Sequence, residues 1–323
     1  MRAIVTGCAG FIGSHLTDTL LEAGHSVVGI DCFNDNYGRP QKEVNLAAAR
    51  DWESFELLTL DLAHGALSGV VSDCETVYHL AAEPGVRSSW GNRFDRYAQN
   101  NVVATQHLLE ALRLTPQTRL VYASSSSIYG QVECLPTRED STPRPLSPYG
   151  VTKLSAEHLC HLYFENYGLK TVSLRYFTAF GPRQRPDMAF NIFCRAALAE
   201  RPITVYGDGT QTRDFTYVED IAAATVAAGT LPTVEFGQAY NVGGGLRTSV
   251  RQALDAIADL TGRALDIQHV PREHGDVRDT GADTARARRD LGFEPRVQLD
   301  EGLQAELDWI LAVAGGREVE LAA

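Results

Sequence analysis

The chain has 323 residues, of which 44% are hydrophobic, and it carries a formal net charge of -12 at pH 7. This length predicts two lobes packed together rather than one domain or three. The acidic balance and the lack of a basic run exclude a general polyanion-binding surface, so we expect no nucleic-acid partner, and local groups must meet any phosphate that binds.

The sequence also predicts a cytoplasmic protein without a membrane partner. No stretch of 18 or more apolar residues occurs, and the N-terminal MRAIVTGCAGFIG lacks the basic start and cleavage site of a signal peptide. Six cysteines lie far apart, with no Cys-x-x-Cys and no histidine spacing that would suit zinc. We therefore expect free thiols in a reducing compartment and no metal. The cysteines are Cys8, Cys32, Cys74, Cys134, Cys160 and Cys194.

Short apolar runs alternate with helical segments along the first part of the chain. Residues 2–6 predict a strand, the stretch through Glu22 an amphipathic helix, and SVVGID a second strand. Further strands are predicted at FELLTLDL, TVYHLAA, RLVYASSS, LKTVSLRYF and QAYNVGG, with helical segments such as NVVATQHLLEALR between them. This alternation predicts an α/β fold with a doubly wound parallel sheet of the Rossmann type.

After Phe177 the pattern changes to a polar, proline-broken loop, followed by helices near 189–200, 250–262 and 283–291. We expect a smaller, discontinuous C-terminal α/β lobe here. The predicted division assigns 1–178 and 217–249 to the larger domain. It assigns 179–216 and 250–315 to the smaller lobe, and the tail after about residue 314 is expected to fray.

The segment GCAGFIG lies between the first strand and the first helix, which is the context that a pyrophosphate-binding loop requires. Gly7 permits the tight turn, Gly10 lets the backbone approach the phosphates, and Gly13 lets helix and strand pack closely. Phe11 and Ile12 begin the helix, whose N-terminus supplies the positive end of its dipole. The pattern predicts a dinucleotide site.

Two acidic residues follow predicted strands near this loop. Asp31 comes 18 residues after Gly13, where a carboxylate can accept both ribose hydroxyls of the adenosine and would repel a 2′-phosphate, so NAD is favoured over NADP. An alternative is that Asp31 only caps the strand end. Asp61 and Leu62, after the third strand, are candidates for positioning the adenine, or they belong to an ordinary turn.

Tyr149 and Lys153 lie four residues apart on a predicted helix and therefore share one face. A phenol is a poor base at neutral pH, and a neighbouring cation favours the phenolate. With 12 tyrosines and three lysines in the chain, chance alone gives Tyr-x-x-x-Lys about 0.1 times. The run ASSSSIYG ends the fifth strand, where such sheets bind ligands, and one of its hydroxyls can bridge a substrate alcohol and the phenolate. A serine-rich turn without a catalytic role is the alternative.

From the glycine loop to Asp283 the chain resembles the extended short-chain dehydrogenase/reductases, specifically the NAD-dependent nucleotide-sugar 4-epimerases. The resemblance implies that Ser125 is the catalytic hydroxyl, Tyr149 the base, and Lys153 its partner, which also binds the nicotinamide ribose. It makes the larger domain the NAD-binding domain and the smaller lobe the nucleotide-sugar lobe. It also implies further NAD contacts at Leu80, Ala81, Ala82, Asn101 and Tyr176.

The resemblance extends to the smaller lobe and to the oligomer. VYGDGTQTRDFTYVEDI and GDVRDTGAD look like the nucleotide-diphosphate contacts of the family, which implies substrate contacts at Val205, Tyr206, Arg213 and Arg278. The two arginines would each offer a forked donor to a phosphate, although surface arginines in solvent would look the same. A homodimer is implied across the Tyr149 helix and residues 99–113, yet an apolar stripe against the monomer's own core gives the same pattern.

The scaffold supports epimerases, 4,6-dehydratases and decarboxylating synthases, so the site must choose the reaction. The dehydratases resembling this chain have an Asp-Glu pair directly after the catalytic hydroxyl, where Ser126 and Ser127 stand here. The xylose synthases have a glutamate in this turn, and this chain has none. The remaining groups support oxidation at C4 and re-reduction on the opposite face, through a transient 4-keto sugar and with NAD regenerated in each cycle.

The loop after Phe177 favours an acidic sugar. Neutral-sugar 4-epimerases usually have Asn where Thr178 stands, and the RPDMA string that begins at Arg185 is similar to UDP-glucuronic acid 4-epimerases. A 4-keto glucuronate is a β-keto acid, and donors from Ser126, Ser127, Thr178 and Arg185 would hold its carboxylate away from the geometry that loses carbon dioxide. Arg185 is otherwise a solvated loop residue. Arg87 is a further carboxylate or phosphate candidate, and Thr280 is expected to line the sugar pocket.

The sequence therefore predicts an isomerase that interconverts UDP-glucuronate and UDP-galacturonate. A UDP-glucose/UDP-galactose or N-acetyl-sugar 4-epimerase is the alternative. A dehydratase or dehydrogenase would instead accumulate a keto product or free NADH. A non-catalytic NAD-binding protein would be expected to lack one of Ser125, Tyr149 and Lys153, and all are present.

Overall fold

Seven parallel strands form the central sheet in the computed structural model, which describes residues 1–315. The strand order is β10-β6-β5-β4-β1-β2-β3, and two smaller sheets have the orders β11-β9-β7 and β12-β8. The strands are β1 (Arg2–Thr6), β2 (Ser26–Asp31), β3 (Phe55–Thr59), β4 (Thr76–His79), β5 (Arg119–Ser125), β6 (Lys170–Tyr176), β7 (Thr178–Phe180), β8 (Ile203–Tyr206), β9 (Thr212–Tyr217), β10 (Ala239–Val242), β11 (Arg247–Ser249) and β12 (Ile267–Val270).

Helices cover both faces of the central sheet. They are α1 (Phe11–Glu22), α2 (Arg39–Asn45), α3 (Ser68–Val71), α4 (Phe94–Tyr97), α5 (Ala104–Leu112), α6 (Pro148–Tyr167), α7 (Ala189–Leu198), α8 (Val218–Thr230), α9 (Val250–Thr261), α10 (Ala285–Leu291) and α11 (Leu299–Gly315). A π-helical turn, Ala98–Val103, leads into α5. None of these helices is both long and apolar enough to pass through a bilayer.

The two-residue period of β1 explains why both faces are covered. Ala3 and Val5 lie in one hydrophobic core, which includes side chains of α1 and α8, whereas Ile4 lies in a second core with α5 and α6. A strand that is apolar on both faces needs helices on both sides, which is the doubly wound arrangement. Every pairing in the sheet is parallel, so the predicted α/β fold is confirmed.

The smaller lobe has its own hydrophobic core, built from α7, α9, α11 and the strands β7, β8 and β9. The predicted division assigns α10 to the smaller lobe, and in the structure Ala287 and Leu291 of α10 pack into the core of the central sheet. The apolar stripe of a short helix does not indicate which of the two lobes the helix packs against. The predicted fraying concerns the tail after about residue 314, and residues 316–323 of this tail lie outside the described residues.

Glu306 is a buried carboxyl group inside the smaller lobe. Burial raises the pKa of Glu306 on α11 from the ordinary 4.5 to about 8, and its Oε2 accepts a 3.3 Å hydrogen bond from the Gly181 amide. Between these two pH values the folded state binds more protons than the unfolded state, so the contribution of Glu306 to stability falls as the pH rises from 4.5 to 8.

Glu306→Gln is therefore expected to raise the melting temperature at pH 8.5 by about 3 °C or more, and to change it little at pH 5. Glutamine keeps an acceptor for the Gly181 amide but carries no charge to bury. Thermal unfolding of both proteins at the two pH values checks this. A variant that is equally or less stable than the parent at pH 8.5 would contradict the assignment.

Candidate active site

The glycine turn between β1 and α1 brings backbone against backbone. Gly7 has φ +72°, and a Cβ there would lie 2.8 Å from the Ala81 nitrogen. A Cβ at Gly13 would lie 2.1 Å from the Gly7 carbonyl oxygen, so only glycine lets α1 pack onto the turn. No side chain caps the N-terminus of α1. Its first amides, including those of Phe11 and Ile12, are therefore directed into the cleft above the sheet.

Asp31 ends β2 beside this turn and is buried. Its carboxylate accepts hydrogen bonds from the Phe33 amide at 2.7 Å and the Ala9 amide at 3.3 Å. The Lys42 ammonium lies 3.2 Å from Asp31 and 2.9 Å from the Asn34 side-chain oxygen. Lys42 is a residue that the sequence reasoning did not assign. The sequence offered one indication of a role for Lys42: lysine is rare in this chain, and Lys42 follows Asp31 in the next helix.

A cleft with about 1120 Å³ of empty space runs along the carboxyl ends of the strands, which suits an extended ligand such as a dinucleotide. It brings together most of the predicted cofactor contacts, namely Gly7, Gly10, Phe11, Ile12, Gly13, Asp31, Asp61, Leu62, Leu80, Ala81, Ala82, Tyr149, Lys153 and Tyr176. It also contains residues that were not predicted from the sequence, among them Asn34, Asn36, Tyr37, Lys42, Pro84 and Asn100.

Asn101 does not line this cleft, and its predicted cofactor contact stays a prediction. Its side chain is buried and is occupied by the protein itself: it accepts from the Glu83 amide at 2.7 Å and donates to the Glu83 carbonyl at 3.1 Å and to Thr152 Oγ1 at 3.0 Å. It therefore ties the loop after β4 to α6. The preceding residue, Asn100, lines the cleft instead. The π-helical turn that contains both residues shifts the helical register. This shift was not predicted from the sequence.

Helix α6 places Tyr149 beside the end of β5. Ser147 caps the helix by accepting from the Gly150 amide at 3.1 Å, and Pro148 occupies the first turn. A Cβ at Gly150 would lie 2.6 Å from the Ser127 carbonyl oxygen, so glycine allows α6 to pack against the serine turn. This contact brings the Tyr149 phenol to the Ser125 hydroxyl.

Lys153 lies one turn further along α6 and is 3% exposed. Its ammonium sits 4.5 Å from the centroid of the Tyr122 ring. Burial lowers the pKa of Lys153 to about 7, while the nearby Cys160 and Glu157 act in the opposite direction. The lysine is therefore poised to exchange a proton near neutral pH.

The Tyr149 phenol is not yet acidic in the protein alone. Burial raises its pKa, and the Ser125 hydroxyl and the charge of Arg185 only partly oppose this effect. The sequence reasoning expected the neighbouring Lys153 cation to favour the phenolate, and that expectation omitted the cost of removing the phenol from water. Ser125 and Arg185 are the groups that favour ionisation here.

A second cavity, with about 590 Å³ of empty space, adjoins the serine turn on the side of the smaller lobe. It brings together four predicted substrate residues, Ser126, Ser127, Thr178 and Arg213, and also Thr280. Ser124 lines the cofactor cleft and Ser126 lines this cavity, so Ser125 lies at the boundary between the two. Desolvation lowers the pKa of Arg213, which marks an arginine drawn away from bulk water.

Arg185 lines the cofactor cleft together with Tyr149 and Lys153. Its side chain is 17% exposed, so the alternative of a solvated loop arginine does not describe its position. Nε and Nη2 each lie 3.0 Å from the Asp187 carboxylate. Nη1 makes no hydrogen bond within residues 1–315, which leaves a charged donor available near the reacting phenol.

The other predicted substrate residues are not brought into the second cavity. Arg87 stacks over the Tyr206 ring at 3.9 Å and pairs with Asp276, which does line the cavity, at 2.7 Å. Strand alternation turns the Val205 side chain into the core of the smaller lobe, so its predicted substrate contact would have to be made by the backbone and stays a prediction. The Arg278 side chain is 57% exposed and its carbonyl accepts a hydrogen bond from Arg213, so its predicted phosphate contact stays a prediction.

Comparison with known proteins gives one consistent family. A profile of the family described as GDP-mannose 4,6 dehydratase matches residues 4–305. A UDP-glucuronate 4-epimerase of Thermodesulfobacterium geofontis is 37% identical over 311 residues, which cover 95% of each chain.

Solved structures agree with this comparison. A UDP-glucuronic acid 4-epimerase from Bacillus cereus, in complex with UDP-glucuronic acid and NAD, superposes with a TM-score of 0.94 at 42% identity and covers 97% of this chain and 100% of that one. A UDP-glucose 4-epimerase from Thermotoga maritima, with UDP-glucose, gives a TM-score of 0.89 at 31% identity and covers 97% of this chain and 99% of that one.

Proposed function

Because the chain belongs to the nucleotide-sugar epimerase and dehydratase family of extended short-chain dehydrogenase/reductases, we propose that it is an NAD-dependent 4-epimerase that interconverts UDP-glucuronate and UDP-galacturonate. The observation that carries this proposal is the placement of Ser125 and Tyr149 between a dinucleotide-sized cleft and a cavity lined by hydroxyls and Arg213.

The residues of the larger cleft fit NAD. The uncapped N-terminus of α1 and the close glycine turn suit a diphosphate, and the Asp31 carboxylate suits ribose hydroxyls. Bound there, NAD would supply the hydride acceptor and donor for C4 of the sugar. Lys153, at the base of the cleft, is placed to hold a ribose hydroxyl and to donate or accept its proton.

Tyr149 moves the proton of the C4 hydroxyl. In our proposal Ser125 bridges that hydroxyl and the phenol, and the positive charges of the occupied cleft lower the pKa that burial has raised. Tyr149 takes the proton as the alcohol becomes a ketone and gives it back as the ketone is reduced. No further acid or base is needed, and the turn after Ser125 offers only the neutral Ser126 and Ser127. This composition favours epimerisation over elimination of water.

The sugar carboxylate requires its own donors. Ser126, Ser127 and Thr178 line the second cavity, and Arg185 presents a free Nη1 from the adjoining cleft. These groups would hold the carboxylate of the 4-keto intermediate in the plane where its bond to C5 does not overlap the carbonyl π system. Decarboxylation is then slow relative to re-reduction.

The test supplies the purified protein with UDP-glucuronate and separates the products by chromatography. UDP-galacturonate is the expected product, with no free NADH. Brisk conversion of UDP-glucose to UDP-galactose alongside unchanged UDP-glucuronate would favour the neutral-sugar alternative, the activity named for the Thermotoga maritima enzyme. A stable keto product with no epimer would contradict epimerisation altogether.

Asp31→Ala is expected to weaken NAD binding by about 100-fold, because the substitution removes two charge-assisted hydrogen bonds to ribose. It also leaves the Lys42 ammonium without its buried partner. NAD titration by calorimetry on protein stripped of cofactor checks this, with the exposed Asp140→Ala as the matched control. An affinity within about threefold of the parent protein would show that Asp31 only shapes the turn.

We also propose a homodimer that forms through α5 and α6. These helices lie side by side, and the outer face of α6 exposes Val151 by 45% and Leu162 by 52%. Leu162→Glu is expected to give a monomer in sedimentation experiments, because a charge would be buried at the interface. Leu311→Glu, at a similarly exposed leucine of α11, is the control and is expected to stay dimeric. A parent protein that sediments as a monomer would refute the dimer.

A cytoplasmic location completes the proposal. The six cysteines are free thiols, and Cys32 and Cys134 are exposed, which suits a reducing compartment. Fractionation of expressing cells followed by immunodetection tests this, and recovery outside the cytoplasmic fraction would contradict it.

A further inference from the structure

The loop that carries Arg185 starts with unusual backbone geometry. Gly181 has φ +127° and Arg183 has φ +64°. A positive φ is ordinary for glycine but uncommon for arginine, whose Cβ then crowds the backbone. Such a conformation persists only where the surroundings enforce it, and it clusters at functional sites. Arg183 precedes Arg185 by two residues, so its conformation sets where the Arg185 side chain begins.

Helix α1 enforces that conformation. Asp18 Oδ2 lies 2.7 Å from Arg183 Nη1, and the two side chains are only 16% and 18% exposed. One turn earlier, His15 Nε2 donates to the Pro182 carbonyl at 2.9 Å. Burial lowers the pKa of His15 to about 4, so the ring is neutral and keeps this donor role throughout the neutral range.

The residue between Arg183 and Arg185 is fixed separately. Gln184 is buried, and Asn191 of α7 bonds to both its side chain and its carbonyl at 2.9 Å. Helix α1 therefore holds the strained part of the loop, and α7 holds the residue that follows it. The N-terminus of α1 forms the diphosphate end of the cofactor cleft, and its His15–Asp18 face holds the loop that presents Arg185.

We propose that Asp18 and Arg183 are positioning residues for Arg185, through which the cofactor-binding helix sets how firmly the sugar carboxylate is held. This inference rests on the proposed function. Loosening the pair lets Arg185 retreat toward Asp187, which already engages its Nε and Nη2. The carboxylate then gains the freedom to align with the C4 ketone. The overall rate also changes, because the Arg185 charge lowers the pKa of Tyr149, so the product ratio is the readout that reports on the carboxylate.

The chemical consequence is a specific side reaction, decarboxylation of the 4-keto intermediate. After C4 is oxidised and NAD is reduced to NADH, the C5–C6 bond breaks, carbon dioxide leaves, and the electron pair stays on C5 as an enolate. Solvent protonates C5, which gives a UDP-4-keto-pentose and leaves one NADH for each turnover lost. The ratio of keto-pentose to UDP-galacturonate therefore measures how firmly the carboxylate is held in place. This ratio does not depend on how much enzyme is active.

The experiment measures this ratio for Asp18→Asn and Arg183→Gln, both of which break the ion pair. We expect the ratio to rise by about tenfold or more in each variant, because displacements of about 1 Å at a reacting group produce effects of this size. The control is Glu200→Gln, which breaks a 2.8 Å ion pair with Arg263 elsewhere in the smaller lobe. Its ratio is expected to equal that of the parent protein.

An unchanged ratio in either variant that folds and retains NAD overturns the inference, whatever happens to its overall rate. An equal rise of the ratio in the Glu200→Gln control also overturns it, because a general loss of rigidity would then explain the decarboxylation. A parent protein that epimerises UDP-glucuronate while both ion-pair variants keep its ratio refutes this inference alone. A parent protein that leaves UDP-glucuronate unchanged refutes the proposed function and the inference with it.

Discussion

Tyr149→Phe is expected to lower the rate of UDP-glucuronate epimerisation by about 10²–10⁴-fold, because phenylalanine cannot take the proton of the C4 hydroxyl. The ring itself remains, and it packs edge-on against Tyr97 with the centroids 6.3 Å apart, so the cleft should keep its shape. NAD content and melting temperature should therefore stay close to those of the parent protein. Initial rates at saturating substrate, measured by chromatography, check the prediction.

The matched control is Tyr167→Phe, at the exposed C-terminal end of the same helix. It should retain the full rate. If Tyr149→Phe keeps its rate within about tenfold of the parent protein, another group moves the proton, and the assignment of Ser125, Tyr149 and Lys153 fails as a unit.

Arg185→Met is expected to lower kcat/KM for UDP-glucuronate by about 100-fold, because a charged donor is lost where the substrate carboxylate leaves water. Methionine preserves much of the apolar stem, so packing within the loop should survive. Part of the remaining turnover should end as keto-pentose and NADH, since the carboxylate is less constrained. Product ratios and the absorbance of NADH measure both effects together.

Arg138→Met serves as the control, because Arg138 also pairs with an aspartate two residues away but lies exposed, far along the chain from the loop. It should match the parent protein in rate and in product ratio. Unaltered turnover of UDP-glucuronate by Arg185→Met would mean that Ser126, Ser127 and Thr178 hold the carboxylate without the arginine.

The parts of the fold that could be predicted were those governed by local patterns. The strand that begins at Arg2 is apolar on both faces, and the glycines at 7, 10 and 13 demand a close strand-to-helix turn. Both signals act over a few residues and leave few alternatives. They were sufficient to anticipate the central sheet and the position of the cleft at its carboxyl edge.

Contacts between distant segments could not be predicted in the same way. Asp18 and Arg183 are separated by 165 residues, and neither has a local pattern that announces its partner. The exposure of Arg278 and the packing of α10 on the larger domain likewise depend on tertiary arrangement. The burial of the Val205 side chain could have been predicted, because the two-residue period of β8 already indicates that Val205 and Tyr206 point to opposite sides.

The central claim is that the hydrogen at C4 leaves as a hydride and returns to the same carbon within one active site. Its most direct test is incubation of the parent protein with UDP-glucuronate that carries deuterium at C4, in ordinary water, followed by NMR of the epimer. We predict UDP-galacturonate with the deuterium still at C4. An epimer that has lost the deuterium to solvent would contradict transfer of the C4 hydride to bound NAD and back to the same carbon.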